Sequence, residues 1–101
     1  MRLSFLRNRN PVDTPLKRRR LRLGLTQEAM AEQCGINKRT YEGYEQARRV
    51  PKKEHLQALM QVADLPWEAF AFPLQYLRDH PEQDAEYAER ASGHGRPPRT
   101  G

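Results

Sequence analysis

Cysteine is nearly absent: Cys34 stands alone among 101 residues. That excludes an intramolecular disulfide and any cysteine-built zinc cluster. Cys34 itself reads as a small apolar filler on the inner side of a helix. His55 has no second histidine or cysteine near it in sequence, so no metal or cofactor is expected. The scattered Asp, Glu and His residues form no nucleophile or ligand constellation, and the glycines form no phosphate loop, so an enzyme is not expected. No apolar run reaches the roughly 18 residues of a membrane span. The apolar part of MRLSFLR at the start is too short for a signal peptide, so a cytoplasmic location is expected. Apolar residues are also scarce, at 37% with a mean hydropathy of −1.00. The chain therefore affords one small core with tails, part of it disordered.

Positive charge is plentiful but unevenly placed. Residues 1–53 hold 14 Lys/Arg against 5 Asp/Glu, whereas 54–101 hold 4 against 8. A basic half beside an acidic one suits a polyanion bound on one side only. A merely solvated basic surface is the alternative.

The basic half contains the stretch 25–51, LTQEAMAEQCGINKRTYEGYEQARRVP, which reads as helix, tight turn, helix. Thr26 caps the first helix through its hydroxyl. Gly35 allows the left-handed residue that ends it, and Ile36 plugs the turn. Asn37 caps a second helix running to about Gln46. At 100° per residue, Lys38, Arg39, Glu42, Gly43 and Gln46 share one side of that helix, and Thr40, Tyr41 and Tyr44 the other. Ala31 is small where the first helix is crossed closely. This is the layout of a helix-turn-helix, whose second helix enters the major groove of DNA. Arg39 can fork to guanine O6 and N7, and Lys38 can reach guanine or phosphate. Glu42 can accept from cytosine N4 or orient Arg39. Gly43 either lets the backbone approach the groove or is only tolerated, at a cost of about 1 kcal/mol against alanine.

Gly24–Glu28, Ala31, Gly35–Ile36, Tyr44–Glu45 and Arg48–Pro51 together resemble the lambda-repressor/Cro-type (XRE) family of regulators, over about residues 15–70. The resemblance implies an all-α, five-helix DNA-binding domain, here with a C-terminal extension. It implies a structural ion pair between Arg20, which the spacing of Leu16, Arg20 and Leu23 turns toward the core, and Glu45. It makes Gln27 a DNA-backbone contact. It also marks departures: Arg19 replaces a frequent leucine, so helix 1 is expected to pack less tightly. Ala47 replaces a frequent glycine, so its loop is expected to carry strain or take another path. Tyr41 and Tyr44 are bulkier than the usual aliphatics, and the Tyr41 hydroxyl is expected to reach solvent or phosphate.

Taken together, Asn37, Lys38, Arg39, Glu42 and Gly43 are expected at base edges. Arg18, Gln27, Thr40, Tyr41, Gln46, Arg48 and Arg49 are expected at the DNA backbone. Lys17 and Arg22 join Arg18 as phosphate candidates on the outer faces of helix 1.

Along the chain, residues 1–13 form a basic arm with Arg2, Arg7 and Arg9, for phosphates or a minor groove, or a plain basic leader. The domain proper spans 14–71: Thr14 and Pro15 start helix 1, and Gly24 stops it. Helix 4 follows Pro51 with a stripe of Leu56, Leu59, Met60 and Ala63. A short helix 5 follows near Trp67–Phe70. Residues 72–91 form the extension, in which Phe72, Leu74, Tyr76 and Leu77, with Phe70, make a dimer surface or simply cover helix 4. An acidic helix is expected over 82–91, and 92–101 reads as a disordered tail.

The expected function is a sequence-specific transcriptional regulator, a repressor of phage or plasmid type. It would bind double-stranded DNA at an inverted repeat as a homodimer, with recognition helices about 34–36 Å apart. A competing reading is an antitoxin or accessory module whose extension binds a protein partner. RNA is a further possible ligand.

Overall fold

The computed structural model describes residues 12–88. Expectations placed on residues 1–11 and 89–101, including most of the arm and all of the tail, lie outside the described residues. The described chain is all-helical: α1 Pro15–Leu23, α2 Gln27–Cys34, α3 Lys38–Glu45, α4 Lys53–Ala63, α5 Glu68–Ala71 and α6 Pro73–Asp79, then a 3-10 turn Ala85–Tyr87. The expected five helices are present, and the extension adds a sixth.

Helix ends follow local chemistry. Thr14, Thr26 and Asn37 hold extended backbone and accept from Lys17 N, Ala29 N and Arg39 N, so each satisfies an amide that has no carbonyl one turn back. Gly24 (φ 75°) and Gly35 (φ 69°) end α1 and α2 in left-handed conformation, where a Cβ would be strained. Three non-glycine residues share that region: Ala47 (φ 61°), Asp64 (φ 57°) and Asp84 (φ 52°). The glycine-type path is thus kept at Ala47, and the loop is strained rather than rerouted.

The core gathers Leu16 of α1, Met30, Ala31 and Cys34 of α2, Tyr41 and Tyr44 of α3, and Leu59 and Ala63 of α4. Leu65, Ala69, Phe70 and Tyr76 complete it from the C-terminal side. Helix α2 packs on α3 and α4, while α1 packs on α4, α5, α6 and the 3-10 turn. Between Gly35 and Asn37, the buried Ile36 donates its N–H to Ala31 O and fastens the turn between α2 and α3.

Two expectations are corrected here. Helix α1 is not loosely packed around Arg19, and it has no free outer face at Lys17 and Arg18: Pro15 to Arg20 are all buried. The cause is the extension, which folds back across α1. Arg19 donates to Asp84 Oδ2 (2.9 Å), to Ala63 O and to Asp64 O (3.0 Å). Arg22 donates to Asp84 Oδ1 at 2.9 Å. Second, residues 82–87 of the expected acidic helix are turn and 3-10 backbone, and Ala88, the last residue described, is helical. The left-handed Asp84, whose carboxylate is taken up by two arginines of α1, prevents a helix from running through 82–87.

Candidate nucleic-acid interface

Helix α3 presents two chemically opposite sides. Its inner side is built on Glu45, which is fully buried. Its carboxylate accepts from Arg20 Nε (2.6 Å), Arg20 Nη2 (3.4 Å), Gln27 Nε2 (2.8 Å) and the Tyr41 hydroxyl (2.7 Å). Its backbone carbonyl accepts from the Thr14 hydroxyl at 2.7 Å. Arg20 also donates to Leu25 O at 2.8 Å. A charge taken out of water is tolerable only when paired and hydrogen-bonded, and both partners here meet that condition. One carboxylate therefore ties α1, α2 and α3 together and fixes the angle at which α3 is held. Tyr44 adds a tie to α4, its hydroxyl 2.7 Å from His55 Nδ1 with the rings edge to face.

This hub corrects the expectation for Tyr41. The side chain has no exposed surface, and its hydroxyl is spent on Glu45 one turn away, so it cannot reach a DNA backbone. Burial, reinforced by the Glu45 carboxylate, pushes its ionisation far above the ordinary tyrosine range. Arg18 is corrected too. It forms a two-pronged pair with Asp13 (2.9 and 2.8 Å) and donates to Gln83 O at 3.2 Å, so it is committed inside the fold. Lys17 is buried beside it, and burial lowers its ammonium pKa against the opposing pull of Glu45. Arg22 is half-exposed but paired with Asp84. Gln27 stands at the start of α2 with its amide nitrogen given to Glu45, so its contribution to a ligand is limited to its amide oxygen and nearby backbone.

The outer side of α3 is different. Lys38 and Arg39 are exposed. Lys38 lies 3.9 Å from Glu42, a long and solvated pair of little strength. Glu42 thus faces Lys38 rather than Arg39. Asn37 spends its Oδ1 on the cap, leaving its amide NH2 outward. Thr40 and Gln46 are half-buried at the edges of this side. Gly43 does not present bare backbone, because the Arg49 side chain lies across it. A Cβ built there would stand 3.2 Å from Arg49 Nε. Arg48 and Arg49 are exposed on the loop after α3. Among the described residues, the guanidinium groups of Arg39, Arg48 and Arg49 have no ion pair or hydrogen bond.

The arginines therefore divide by element. The four of α1 (18, 19, 20 and 22) are each ion-paired, with Asp13, Glu45 and an Asp84 shared by two of them. Those of α3 and its following loop are exposed and, among the described residues, unpaired. An unbalanced cationic strip, backed by a helix whose orientation is fixed from behind, can bind a polyanion along a groove.

Two capped helices joined at Gly35–Asn37, the second exposed along its polar side, define a helix-turn-helix DNA-binding protein. Residues 15–71 match the family model described as "Helix-turn-helix domain", and the chain belongs to that family. The match agrees with the resemblance to lambda-repressor/Cro-type regulators. Neither a curated protein nor a solved structure shows significant similarity to the chain. No helix among the described residues is long and apolar enough to cross a membrane.

Proposed function

We propose that this protein is a sequence-specific transcriptional regulator, a repressor that binds an inverted-repeat operator as a homodimer. In this reading α3 lies in the major groove. Arg39 and Lys38 address base edges, with Asn37 and Glu42 beside them, and Arg48, Thr40, Gln46 and the start of α2 at Gln27 face the sugar-phosphate backbone. The observation that carries it is the division of the arginines: those behind α3 are paired internally, and those on and after α3 are left without counterions. Exposed guanidinium groups crowded on one side gain most by displacing the counterions of a nucleic acid.

The dimer reading rests on a separate feature. Trp67, Phe72 and Leu74 are exposed around the start of α6, and the Trp67 and Phe72 rings meet edge to face with centroids 5.8 Å apart. Apolar side chains so placed suit a second copy of the chain. Phe70 and Tyr76, by contrast, are buried within the fold and cover its core.

Selection of bound sites from random duplex DNA tests the proposal. A single enriched inverted repeat is expected, with affinity falling steeply as salt rises. Arg39→Ala is expected to cost about 1–3 kcal/mol and to relax base preference at one position per half-site. Arg48→Ala is expected to weaken all sequences alike and to flatten the salt dependence by about one phosphate. Equal losses from both variants on every sequence would show that α3 does not read bases.

A further inference from the structure

The middle of the outer side of α3 is occupied by a residue that α3 does not supply. At 100° per residue, Gly43 falls opposite the buried Tyr41 and Glu45, one turn after Arg39 and one turn before Gln46. This is the position from which a side chain would project most directly into a groove, and it holds none. Yet Gly43 is buried. What covers it is Arg49: a Cβ at position 43 would stand 3.2 Å from Arg49 Nε, 3.3 Å from Cγ and 3.4 Å from Cδ.

The loop makes this possible by turning the chain back immediately. Ala47 is left-handed and donates its N–H to Tyr44 O at 3.1 Å, and Arg48 N–H donates to Gly43 O at 2.8 Å. The backbone thus doubles back onto the last turn of α3, and the Arg49 stem runs over the seat left by the glycine. Its guanidinium is unpaired among the described residues.

We propose that Arg49 is a base-reading residue, its stem seated on Gly43 so that its guanidinium stands beside Arg39 in the major groove and takes a guanine edge. This inference rests on the reading of α3 as a DNA-recognition helix and deepens it. Arg49 thereby moves from the backbone-contacting group, where loop position alone had put it, to the specifying group. A glycine inside a helix is disfavoured on local grounds. Here it provides the room for a longer, forked donor delivered from the loop. A planar guanidinium matches guanine O6 and N7 with two hydrogen bonds, whereas a lysine ammonium offers only a point charge. Removing the guanidinium separates base reading, lost at one position, from phosphate anchoring, lost on every sequence alike, and the lysine variant reports what the fork adds.

The test is site selection from random duplexes with the full chain and three variants, followed by affinity measurements on the enriched site and on single-base changes. Arg49→Lys keeps the charge and loses the fork. It is expected to weaken the preference for guanine at one position of each half-site while still binding DNA, and Arg49→Ala should lose that preference at the same position. The discrimination lost there should be about 5-fold to 150-fold. Gly43→Ala, which displaces the Arg49 stem, should alter preference at that same position and leave the position sensitive to Arg39→Ala unchanged. If Arg49→Ala weakens binding to all sequences alike and keeps the wild-type base profile, Arg49 is a phosphate anchor and the proposal is overturned. If Gly43→Ala leaves the profile unchanged while Arg49→Ala alters it, the seat is not what positions Arg49, and that part is overturned. A wild-type chain that enriches no sequence would instead reject the DNA-reading function itself, a result distinct from either.

Discussion

Replacing Asp84 by alanine tests whether the extension is part of the folded domain or an appendage. The Asp84 side chain is 3% exposed and is shared by Arg19 and Arg22, each at 2.9 Å. Arg19 is itself 4% exposed. Removing one member of a buried ion pair typically costs about 3–5 kcal/mol, because the other charge is left stranded. Two features reduce that figure. Arg19 keeps the carbonyl oxygens of Ala63 and Asp64, and the turn around residues 81–88 can lift to admit water. A cost of about 2 kcal/mol is therefore expected. For a chain of this size it lowers the melting temperature by roughly 8–16 °C. Arg22→Ala supplies the control: with a side chain 46% exposed, it should cost less than about 1 kcal/mol. Combining Arg19→Leu with Asp84→Ala removes the stranded charge, so the double variant should be more stable than the sum of its parts by about 1–2 kcal/mol. Urea denaturation of five proteins, the wild type, Asp84→Ala, Arg22→Ala, Arg19→Leu and the double variant, reads all of this. An Asp84→Ala variant within about 0.5 kcal/mol of wild type would refute the reasoning and show that the extension is held by other contacts or hardly at all.

Two further outcomes are expected. Ala47→Gly should raise the urea midpoint at unchanged slope, by about 0.5–1 kcal/mol, because Ala47 sits at φ 61°, is exposed and loses no packing. A lower midpoint would mean that the left-handed turn carries no strain. Tyr41→Phe should cost about 1.5–3 kcal/mol, the worth of a hydrogen bond to a buried carboxylate. It should also change the response to alkali. Folding raises the Tyr41 pKa above its ordinary value of 10, so its contribution is complete below pH 10 and is lost as pH rises beyond it. Stability measured from pH 8 to 11 should therefore fall more steeply in wild type than in the phenylalanine variant, and parallel curves would contradict the assignment.

The ends of the helices were legible because their chemistry is local. Thr14, Thr26 and Asn37 cap, and Gly24 and Gly35 terminate, as their residue types dictate. Arg20 and Glu45, 25 residues apart, were within reach because helical spacing turned Arg20 inward and the family resemblance supplied its partner. The assignments that failed each lacked a partner that only the tertiary fold supplies. Arg18 and Lys17 were placed outward on the assumption that α1 has a single buried face, whereas Arg22 is exposed as expected but paired with Asp84. The second covering of α1 comes from Gln83 and Asp84, more than 60 residues away, and no local period reports it. For Tyr41 a signal was present. Glu45 lies four residues later on the same helix, one turn away, and offered its hydroxyl a buried partner. The covering of Gly43 had none, because it depends on the loop after α3 reversing at Ala47.

The uneven charge of the chain consequently has two meanings. Eight acidic residues in 54–101 facing 14 basic residues in 1–53 suggest a polyanion bound by the first half. Part of the asymmetry is offset inside the molecule, where Asp84 of the second half pairs with both Arg19 and Arg22 of the first. Among the described residues the remainder, carried by Lys38, Arg39, Arg48, Arg49, Lys52 and Lys53, faces outward without a strong counterion. If α1 kept its arginines free, positive potential would surround the domain and DNA could approach from several sides. Pairing them leaves the unpaired arginines of the described helix-turn-helix on and just after the helix whose direction Glu45 fixes from behind. The acid of the extension thus does for orientation what the bases of α3 do for attraction. A charge excess becomes a directed surface only when its other members are cancelled.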